Sequence, residues 1–290
     1  MRQLLDLCLN GVILGGIYVL LALGLNIILG MIGVLNFMHG AFYMVGAYLA
    51  WTLTGHGMNF VVAAVLASLG VAVLGLGMEV TLIRPLYGRI AEHALLLTFG
   101  LTLIAGQAVR YLWGDAPRSL QTPSYLSSSV GMFGYRFPVY RLFVVGVTAA
   151  AVAGVWLLIN KTNVGLVIRA GITDNEMVGA VGINLPLAFT LTFALGSLLA
   201  GLGGALVGPI TGLNTGMGGS FIILAFVVVV IGGLGNFWGS IIGGVLVGVI
   251  QSATVYFWGP ASEIVPFVLM ILVLLVRPRG LLGVEGVLDT

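Results

Sequence analysis

Charged side chains are scarce in this sequence. The 11 basic and 9 acidic residues make up 7% of the 290 residues, whereas charged residues are roughly a quarter of an average soluble domain. Two long intervals, residues 7–78 and 177–262, contain no Asp, Glu, Lys or Arg. Since one helical crossing of a bilayer needs about 20 apolar residues, each interval has room for about three or four crossings. This composition could not solvate the surface of a soluble fold, so a soluble protein is excluded.

Several residues needed for common chemistries are also rare. Lys161 is the one lysine and no G-x-x-x-x-G-K-[ST] motif occurs, so the chain has no phosphate-binding loop for ATP. Cys8 is the one cysteine, which excludes an internal disulfide and a metal site built from several cysteines. His39, His56 and His93 are scattered and supply no zinc-ligand cluster. No basic run points to nucleic acid as a partner.

Long apolar runs fill most of the chain instead. Nine of them lie between polar breaks, near residues 7–28, 31–54, 60–83, 94–113, 138–159, 187–210, 220–235, 237–257 and 262–276. They are continuous rather than alternating, and a helix in hydrocarbon satisfies its own backbone hydrogen bonds. The runs predict an all-α polytopic membrane protein with about eight to nine transmembrane or half-spanning helices. We expect a single transmembrane domain over residues 1–290.

The basic residues do not decide which side of the membrane each loop faces. If all nine segments cross, one side holds six basic residues and the other side holds five. This difference is too small to apply the rule that cytoplasmic loops carry an excess of Lys and Arg.

Two glycine-rich breaks interrupt the apolar pattern, one in each half of the chain. They cover residues 30–40 and 208–220, and in each an asparagine, Asn36 or Asn214, follows six residues after the opening glycine. Interrupted helices at corresponding places in two halves are typical of a transporter's substrate path. Five segments separate the breaks, and an odd number places the two halves in opposite orientations. The pattern therefore predicts an inverted repeat.

Polar residues at the breaks are candidates for helix caps. Asn36 is expected to accept hydrogen bonds at the start of a helix that begins at Phe37. Ser220 is expected to do the same before Phe221 in the second half. His39 has no acidic residue beside it in the sequence, so a neutral ring bonded to a backbone carbonyl is favoured over a proton relay.

The segment 160–186 is the clearest element that faces water. Thr173 and Glu176 have the spacing of a capping box at a helix start. Gly182 is suited to end that helix, and Pro186 is suited to begin the next span. A helix of about eight residues, roughly 12 Å long, is therefore expected. Two interpretations stay open here: a surface helix that only connects two spans, or a docking element for another protein.

Several blocks of the sequence resemble the permeases of high-affinity branched-chain amino acid ABC importers, over essentially the whole chain. The blocks are Gly24-Leu25-Asn26, GVLNFMHGAFYMVGAY over 33–48, Arg169-Ala170 with Asp174-Asn175-Glu176-Met177 and Gly182-Ile183-Asn184, GGLGN over 232–236 with Gly239, and LLVRPRGLLG over 274–283. Ala41 is a departure, because many relatives carry an acidic residue after the His-Gly pair.

The resemblance implies a permease subunit with a type II ABC importer-like fold, for branched-chain or related neutral amino acids, in the bacterial cytoplasmic membrane. The implied partners are a homologous second permease, two cytoplasmic ABC ATPases, an extracytoplasmic substrate-binding protein and the lipid bilayer. The ATPases would bind ATP and Mg²⁺, so no cofactor is expected in this chain. The resemblance also places the segment 160–186 and the C-terminus in the cytoplasm.

The same resemblance assigns roles to particular residues. Coupling to the ATPases is expected from Arg169, Asp174, Glu176, Met177, Gly182 and Ile183. The two breaks are expected to line the translocation path, with contributions from Asn36, His39, Phe42 and Asn214. No residue is expected to be catalytic or to bind a metal.

Three alternative functions differ in how well the sequence supports them. An ABC permease for urea or short amides has the same architecture and is not separated from the first hypothesis by these residues. A stand-alone channel or secondary carrier is a second alternative, although an ion-coupled carrier usually needs an ionisable site within the membrane, and the two long intervals hold no carboxylate. An intramembrane enzyme would need a paired base and nucleophile, and no such pair is recognisable.

Overall fold

A computed structural model describes residues 2–132 and 135–283, without the side chains of residues 2–6, 132, 135, 175 and 176. The α-helices are α1 (Arg2–Ile32), α2 (Met38–Gly55), α3 (Phe60–Met78), α4 (Ala91–Trp113), α5 (Val139–Lys161), α6 (Asn163–Thr173), α7 (Asn175–Ala180), α8 (Leu185–Thr211), α9 (Met217–Gly232), α10 (Phe237–Trp258) and α11 (Val265–Val276). Two short strands, β1 (Ser129–Met132) and β2 (Tyr135–Pro138), pair antiparallel.

Each of the nine predicted apolar segments is a helix in the structure, namely α1 to α5 and α8 to α11. Within the described part of the chain, six helical stretches are long and apolar enough to cross a membrane: Leu7–Ile32, Phe60–Leu86, Ala91–Trp113, Val139–Lys161, Leu185–Thr211 and Phe237–Ala261. The helices α9 and α11 are shorter, with 16 and 12 residues. The prediction of an all-α polytopic membrane protein is confirmed.

Helices α1 and α10 lie antiparallel along most of their length. Gly11, near the start of α1, contacts Val249 near the end of α10. At the other end of the pair, Asn26 of α1 donates a hydrogen bond to the carbonyl of Asn236, which directly precedes α10. Small residues at such contacts allow close approach of helix backbones, which stabilises helix pairs in lipid.

Three segments lie together at one end of the bundle: 160–186, 233–236 and 277–283. The side chain of Asn236 donates a hydrogen bond to the Leu282 carbonyl at 2.7 Å. A cavity of about 230 Å³ is lined jointly by residues of α1, α6 and the loop before α10. We call this end of the bundle the 160–186 end.

The opposite end carries the long connection between α4 and α5, which holds both strands. Within it, Arg118 pairs with Leu213 through two backbone hydrogen bonds, of 2.9 and 2.7 Å. The sequence patterns did not predict the strand pair or this bridge. The bridge ties the connection to the second glycine break.

The contacts between the two halves agree with the predicted inverted repeat. Helices α1 and α8 cross antiparallel, because Leu21 lies against Gly203 while Ile28 lies against Gly196. Helix α8 packs on α3 as α1 packs on α10, and α2 contacts α9. The segment α1 to α4 therefore corresponds to the segment α8 to α11, with reversed direction.

Candidate functional site

The first break contains a glycine stop and an asparagine cap. Helix α1 ends at Ile32, and Gly33 follows with a φ of 73°, which glycine adopts without a Cβ clash. The Asn36 side-chain oxygen accepts a hydrogen bond from the Met38 N–H at 3.0 Å. The predicted hydrogen bond at the helix start is confirmed. The cap position itself is occupied by Phe37, because α2 begins one residue later than expected, at Met38.

The second break repeats this local geometry. Gly212, which follows α8, also has a φ of 73°. The side-chain oxygen of Asn214 accepts a hydrogen bond from the Gly216 N–H at 3.0 Å, again two residues ahead. Asn36 and Asn214 therefore play the same local part, as expected for corresponding positions in a repeat.

Ser220 does not cap the helix that follows the second break, so that prediction is wrong. Helix α9 begins at Met217, and Ser220 is an exposed residue inside its first turn. The helix starts earlier than the apolar pattern indicated, since Asn214 already bonds to the free backbone N–H group ahead of it.

His39 and Phe42 lie inside the protein on α2. The Nε2 atom of His39 is 3.0 Å from the carbonyl oxygen of Leu21, and the side chain is fully buried. Because a carbonyl oxygen only accepts, this nitrogen carries the proton, and the predicted bond to a backbone carbonyl is confirmed. Phe42 packs edge-on against Phe193 of α8, with ring centroids 6.0 Å apart.

The structure places three of the four predicted path residues together and the fourth apart. Asn36, His39 and Phe42 are buried at the start of α2. Asn214 is exposed at the second break, beside Thr215, whose hydroxyl takes part in a cluster of polar side chains. The two asparagines therefore differ in exposure although they share one backbone geometry.

A small apolar cavity of about 170 Å³ lies beside the first break. Its walls are formed by Leu25, Leu35, Asn36, Phe37, Ile222, Ile223 and Phe226. Asn36 is the polar member of this set, and its Nδ2 has no hydrogen-bond partner among the residues that the structure describes. A wall of this kind suits an aliphatic group next to one polar atom.

Two helices, rather than the expected one, form the segment 160–186. Helix α6 has 11 residues, and the Thr162 hydroxyl accepts a hydrogen bond from the Gly165 N–H at 3.1 Å at its start. Helix α7 has six residues. The sequence patterns did not predict α6.

Asp174 caps α7, and the predicted capping box of Thr173 and Glu176 is wrong. The Asp174 backbone is extended, and its side-chain oxygen accepts a hydrogen bond from the Met177 N–H at 2.9 Å. Thr173 is the last residue of α6 and donates its hydroxyl to the Arg169 carbonyl at 3.2 Å. An N-cap residue needs a non-helical backbone, which Thr173 lacks. The side chain of Glu176 lies outside the described part of the chain.

The other predicted coupling residues lie at the surface of the 160–186 end. Met177 is 61% exposed and Ile183 is 38% exposed. Val181, which was not predicted, is 67% exposed. Gly182 turns the chain between them with a φ of 82°, and Arg169 is exposed on α6. We call Met177, Val181 and Ile183 together the coupling surface.

A buried carboxylate that the sequence analysis did not assign lies where α3 ends. Glu79 is fully buried and forms two bonds with Arg84, of 3.2 and 3.1 Å. Tyr87 donates its hydroxyl to Oε1 at 2.9 Å, and Thr190 of α8 donates its hydroxyl to Oε2 at 2.7 Å. Burial, with the Glu79 carboxylate nearby, raises the pKa of Tyr87, so its hydroxyl stays a donor. These four residues are the Glu79 cluster.

Asn26 is a second polar residue whose role sequence reasoning missed. Its side chain is 1% exposed, and Nδ2 donates to the Asn236 carbonyl at 2.9 Å and to the Ser240 hydroxyl at 2.7 Å. Its Oδ1 accepts from the Gly235 N–H at 2.7 Å. Asn26 therefore fastens the loop before α10 to α1, and an asparagine inside an apolar run was the available signal.

Comparison with known proteins identifies relatives over most of the chain. The family model described as branched-chain amino acid transport system / permease component matches residues 7–274. The permease protein BraD of the high-affinity branched-chain amino acid transport system of Pseudomonas aeruginosa is 31% identical over 288 residues, covering 94% of both chains. The corresponding permease protein LivH of Escherichia coli K12 is also 31% identical, with 94% of both chains covered.

A further relative and one solved structure extend the comparison. The permease protein LivM of Salmonella typhimurium is 29% identical over 291 residues, covering 92% of this chain and 68% of LivM. The structure of PsaBC from Streptococcus pneumoniae in complex with Fab aligns with a TM-score of 0.53 over 93% of this chain and 91% of that chain. Since the identity is 12%, this likeness concerns the fold alone.

Proposed function

The chain belongs to the branched-chain amino acid transport permease family, and we propose that it is the membrane-spanning subunit of an ABC importer for branched-chain or related neutral amino acids. Like its relatives, it is an integral membrane transport subunit and not an enzyme. In this proposal the chain forms the translocation path together with a second permease.

The coupling surface is the observation that carries the proposal. Met177, Val181 and Ile183 expose large apolar side chains around a short, capped helix between two spans. A cluster of exposed apolar side chains in a connection outside the spans supports a contact with another protein. The sequence has no phosphate-binding loop, so the energy of ATP hydrolysis would have to enter through such a contact.

The assembly that we propose has four further protein subunits. LivH and LivM of Salmonella typhimurium are both named permease proteins of the high-affinity branched-chain amino acid system, and this chain is similar to both. These two names support pairing with a homologous second permease. Two ABC ATPases would contact the coupling surface, and a substrate-binding protein would meet the opposite end of the bundle.

This arrangement sets the orientation that we propose in the bacterial cytoplasmic membrane. The ATPases are cytoplasmic, so the 160–186 end and the C-terminal tail would face the cytoplasm. Six basic residues lie in the loops and tail at that end: Arg84, Arg89, Lys161, Arg169, Arg277 and Arg279. Their position is compatible with the enrichment of Lys and Arg in cytoplasmic loops.

The proposed mechanism is alternating access driven by the partner ATPases. Closure of the ATPases would press on α7, which leads into α8 through the turn at Gly182. Because α8 crosses α1 close to the first break, its movement would change the side on which the path opens. Asn36 and His39 offer neutral polar groups at that break, and weak contacts suffice because a deep binding well would slow release.

Reconstitution in liposomes tests the proposed function. The purified chain is compared alone and together with a homologous second permease, two ABC ATPases and a substrate-binding protein, with radiolabelled leucine and urea as solutes. We expect accumulation of leucine only in the complete assembly with ATP. Accumulation by the chain alone would contradict the proposal, and uptake of urea in place of leucine would favour the amide alternative.

A further inference from the structure

The Glu79 cluster joins the end of α3 to the beginning of α8, at the 160–186 end. Glu79 begins a π-helical turn, Glu79–Ile83, that directly continues α3. Thr190 lies in the second turn of α8, which starts just after the coupling surface. The bond between the Thr190 hydroxyl and the Glu79 carboxylate connects residues that are 111 positions apart in the sequence.

The π turn explains how Arg84 reaches Glu79. In an α-helix each residue turns by about 100°, so a side chain five positions later points about 140° away. In a π turn the backbone bonds from residue i to residue i+5 instead, and the Arg84 N–H bonds to the Glu79 carbonyl. This geometry places the guanidinium beside the carboxylate with two bonds, while the Thr190 hydroxyl binds Oε2 as well.

A short path leads from α7 to this cluster through the first turns of α8. A Cβ built on Gly179 of α7 would lie 3.2 Å from the side chain of Leu185, the first residue of α8. One turn further along α8, Phe189 packs edge-on against Tyr87, with ring centroids 5.0 Å apart. Thr190, the next residue, bonds to Glu79.

We propose that the Glu79 cluster is the joint that passes movement of the coupling surface to α3. This proposal rests on the proposed function. Glu79 and Thr190 act in it as positioning residues. A fully buried carboxylate is costly to leave without its partners, so the bonds of Glu79 resist separation of α8 from α3. Movement of the first turns of α8 is then carried to α3 rather than lost in local bending.

Substitution of Thr190 separates this role from a packing role. The variant Thr190→Val keeps the shape and removes the hydroxyl, and Thr190→Ser restores a hydroxyl. Thr192→Val is the matched control, because Thr192 is also buried in α8 but, among the described residues, its hydroxyl bonds only to the Ala188 carbonyl of its own helix. Each variant is assembled with the ATPases and the binding protein in liposomes, and leucine uptake and ATP hydrolysis are measured together.

We expect Thr190→Val to lower leucine uptake per ATP hydrolysed by at least about tenfold, because the hydroxyl bonds two charged groups, donating to Glu79 and accepting from Arg84. Basal ATP hydrolysis by the Thr190→Val assembly is expected to stay close to wild type. Thr190→Ser is expected to recover the wild-type ratio of leucine uptake to ATP hydrolysed, and Thr192→Val is expected to keep that ratio. Glu79→Gln, which breaks the ion pair, is also expected to lower leucine uptake per ATP hydrolysed. This variant tests the proposal if Thr190→Val does not assemble.

The proposed joint is overturned if Thr190→Val or Glu79→Gln keeps the wild-type ratio of leucine uptake to ATP hydrolysed. It is also overturned if Thr192→Val lowers that ratio as much as Thr190→Val does. The failure of the proposed function itself gives a different result, since the wild-type assembly would then show no ATP-dependent uptake at all.

Discussion

Gly40 of α2 and Gly218 of α9 contact each other's backbone. A Cβ on Gly218 would lie 2.7 Å from the Gly40 carbonyl oxygen, and a Cβ on Gly40 would overlap the Gly218 carbonyl oxygen. Three residues further along each helix, Tyr43 and Phe221 pack together, with ring centroids 4.5 Å apart. The two residues of each pair are 178 positions apart in the sequence, the same separation as between Asn36 and Asn214. The axis that relates the two halves therefore passes through this contact.

This contact explains why two short helices follow the breaks. Gly40 and Gly218 lie in the first turns of α2 and α9, and the remainder of each helix runs toward opposite ends of the bundle. At 1.5 Å per residue, each helix extends about 20 Å beyond the contact. That length is less than the roughly 30 Å of a hydrocarbon core. The starts of α2 and α9 therefore lie inside the bundle rather than at its ends.

The glycine contact predicts a loss of stability when either residue gains a side chain. Gly40→Ala is expected to destabilise the protein by about 1–3 kcal/mol or more, because the new methyl overlaps the α9 backbone. Thermal unfolding in detergent measures the effect. Gly219→Ala is the control, since no described residue outside the neighbouring backbone of α9 lies within 4 Å of a Cβ at Gly219. Equal melting temperatures for the two variants would show that the close contact is absent.

The coupling surface predicts an effect of charge on ATPase binding. Met177→Asp is expected to weaken binding of the ATPases to the permease, because a carboxylate at an apolar contact must lose its water. Folding is expected to be unaffected, since Met177 is 61% exposed. Co-purification of the ATPases measures binding. Val130→Asp, at an exposed apolar residue of β1, is the control at the opposite end. Undiminished co-purification of Met177→Asp would argue against the docking role.

The cap of α7 predicts opposite outcomes at adjacent residues. Asp174→Ala removes the bond to the Met177 N–H, so the amides of α7 are expected to exchange with solvent about fivefold faster, for a loss of about 1 kcal/mol. Asp174→Asn keeps an acceptor and is expected to restore protection. Thr173→Ala leaves the cap intact and is expected to change little. Hydrogen exchange read by mass spectrometry measures all three variants. Faster exchange in Thr173→Ala alone would support the capping box of Thr173 and Glu176 instead of the Asp174 cap.

Asn26 predicts a large cost for an apolar replacement of similar size. Asn26→Leu leaves the Gly235 N–H without its partner, at about 1–3 kcal/mol for an unsatisfied group. The Asn236 carbonyl keeps the Ser240 N–H as a donor. Thermal unfolding measures the loss. Asn163→Ala, at an exposed position, is expected to stay within about 0.5 kcal/mol of wild type. A stable Asn26→Leu protein would mean that the loop before α10 does not depend on this anchor.

Much of the helical architecture could be predicted from local sequence, because bilayer length and backbone hydrogen bonding act on each segment separately. The apolar runs predicted all nine long segments, and the first break predicted the hydrogen bond of Asn36 at the start of α2. At the second break the prediction named Ser220, whereas Asn214 makes the corresponding bond. Predictions failed where two signals lay close together. Thr173 and Asp174 are both good cap residues, and only the end of α6 at Thr173 decided between them.

What the sequence by itself determined is the class of protein: a charge-poor, glycine-interrupted chain can only be stable as helices in lipid, whatever their arrangement. The tertiary structure decided which polar groups meet. Glu79 bonds to Thr190, and Asn26 bonds to Asn236, although more than a hundred residues of chain separate the members of each pair. No local pattern encodes such pairs, since a hydrogen bond needs its two atoms within about 3 Å, and that distance is set by how α1, α3, α8 and α10 pack.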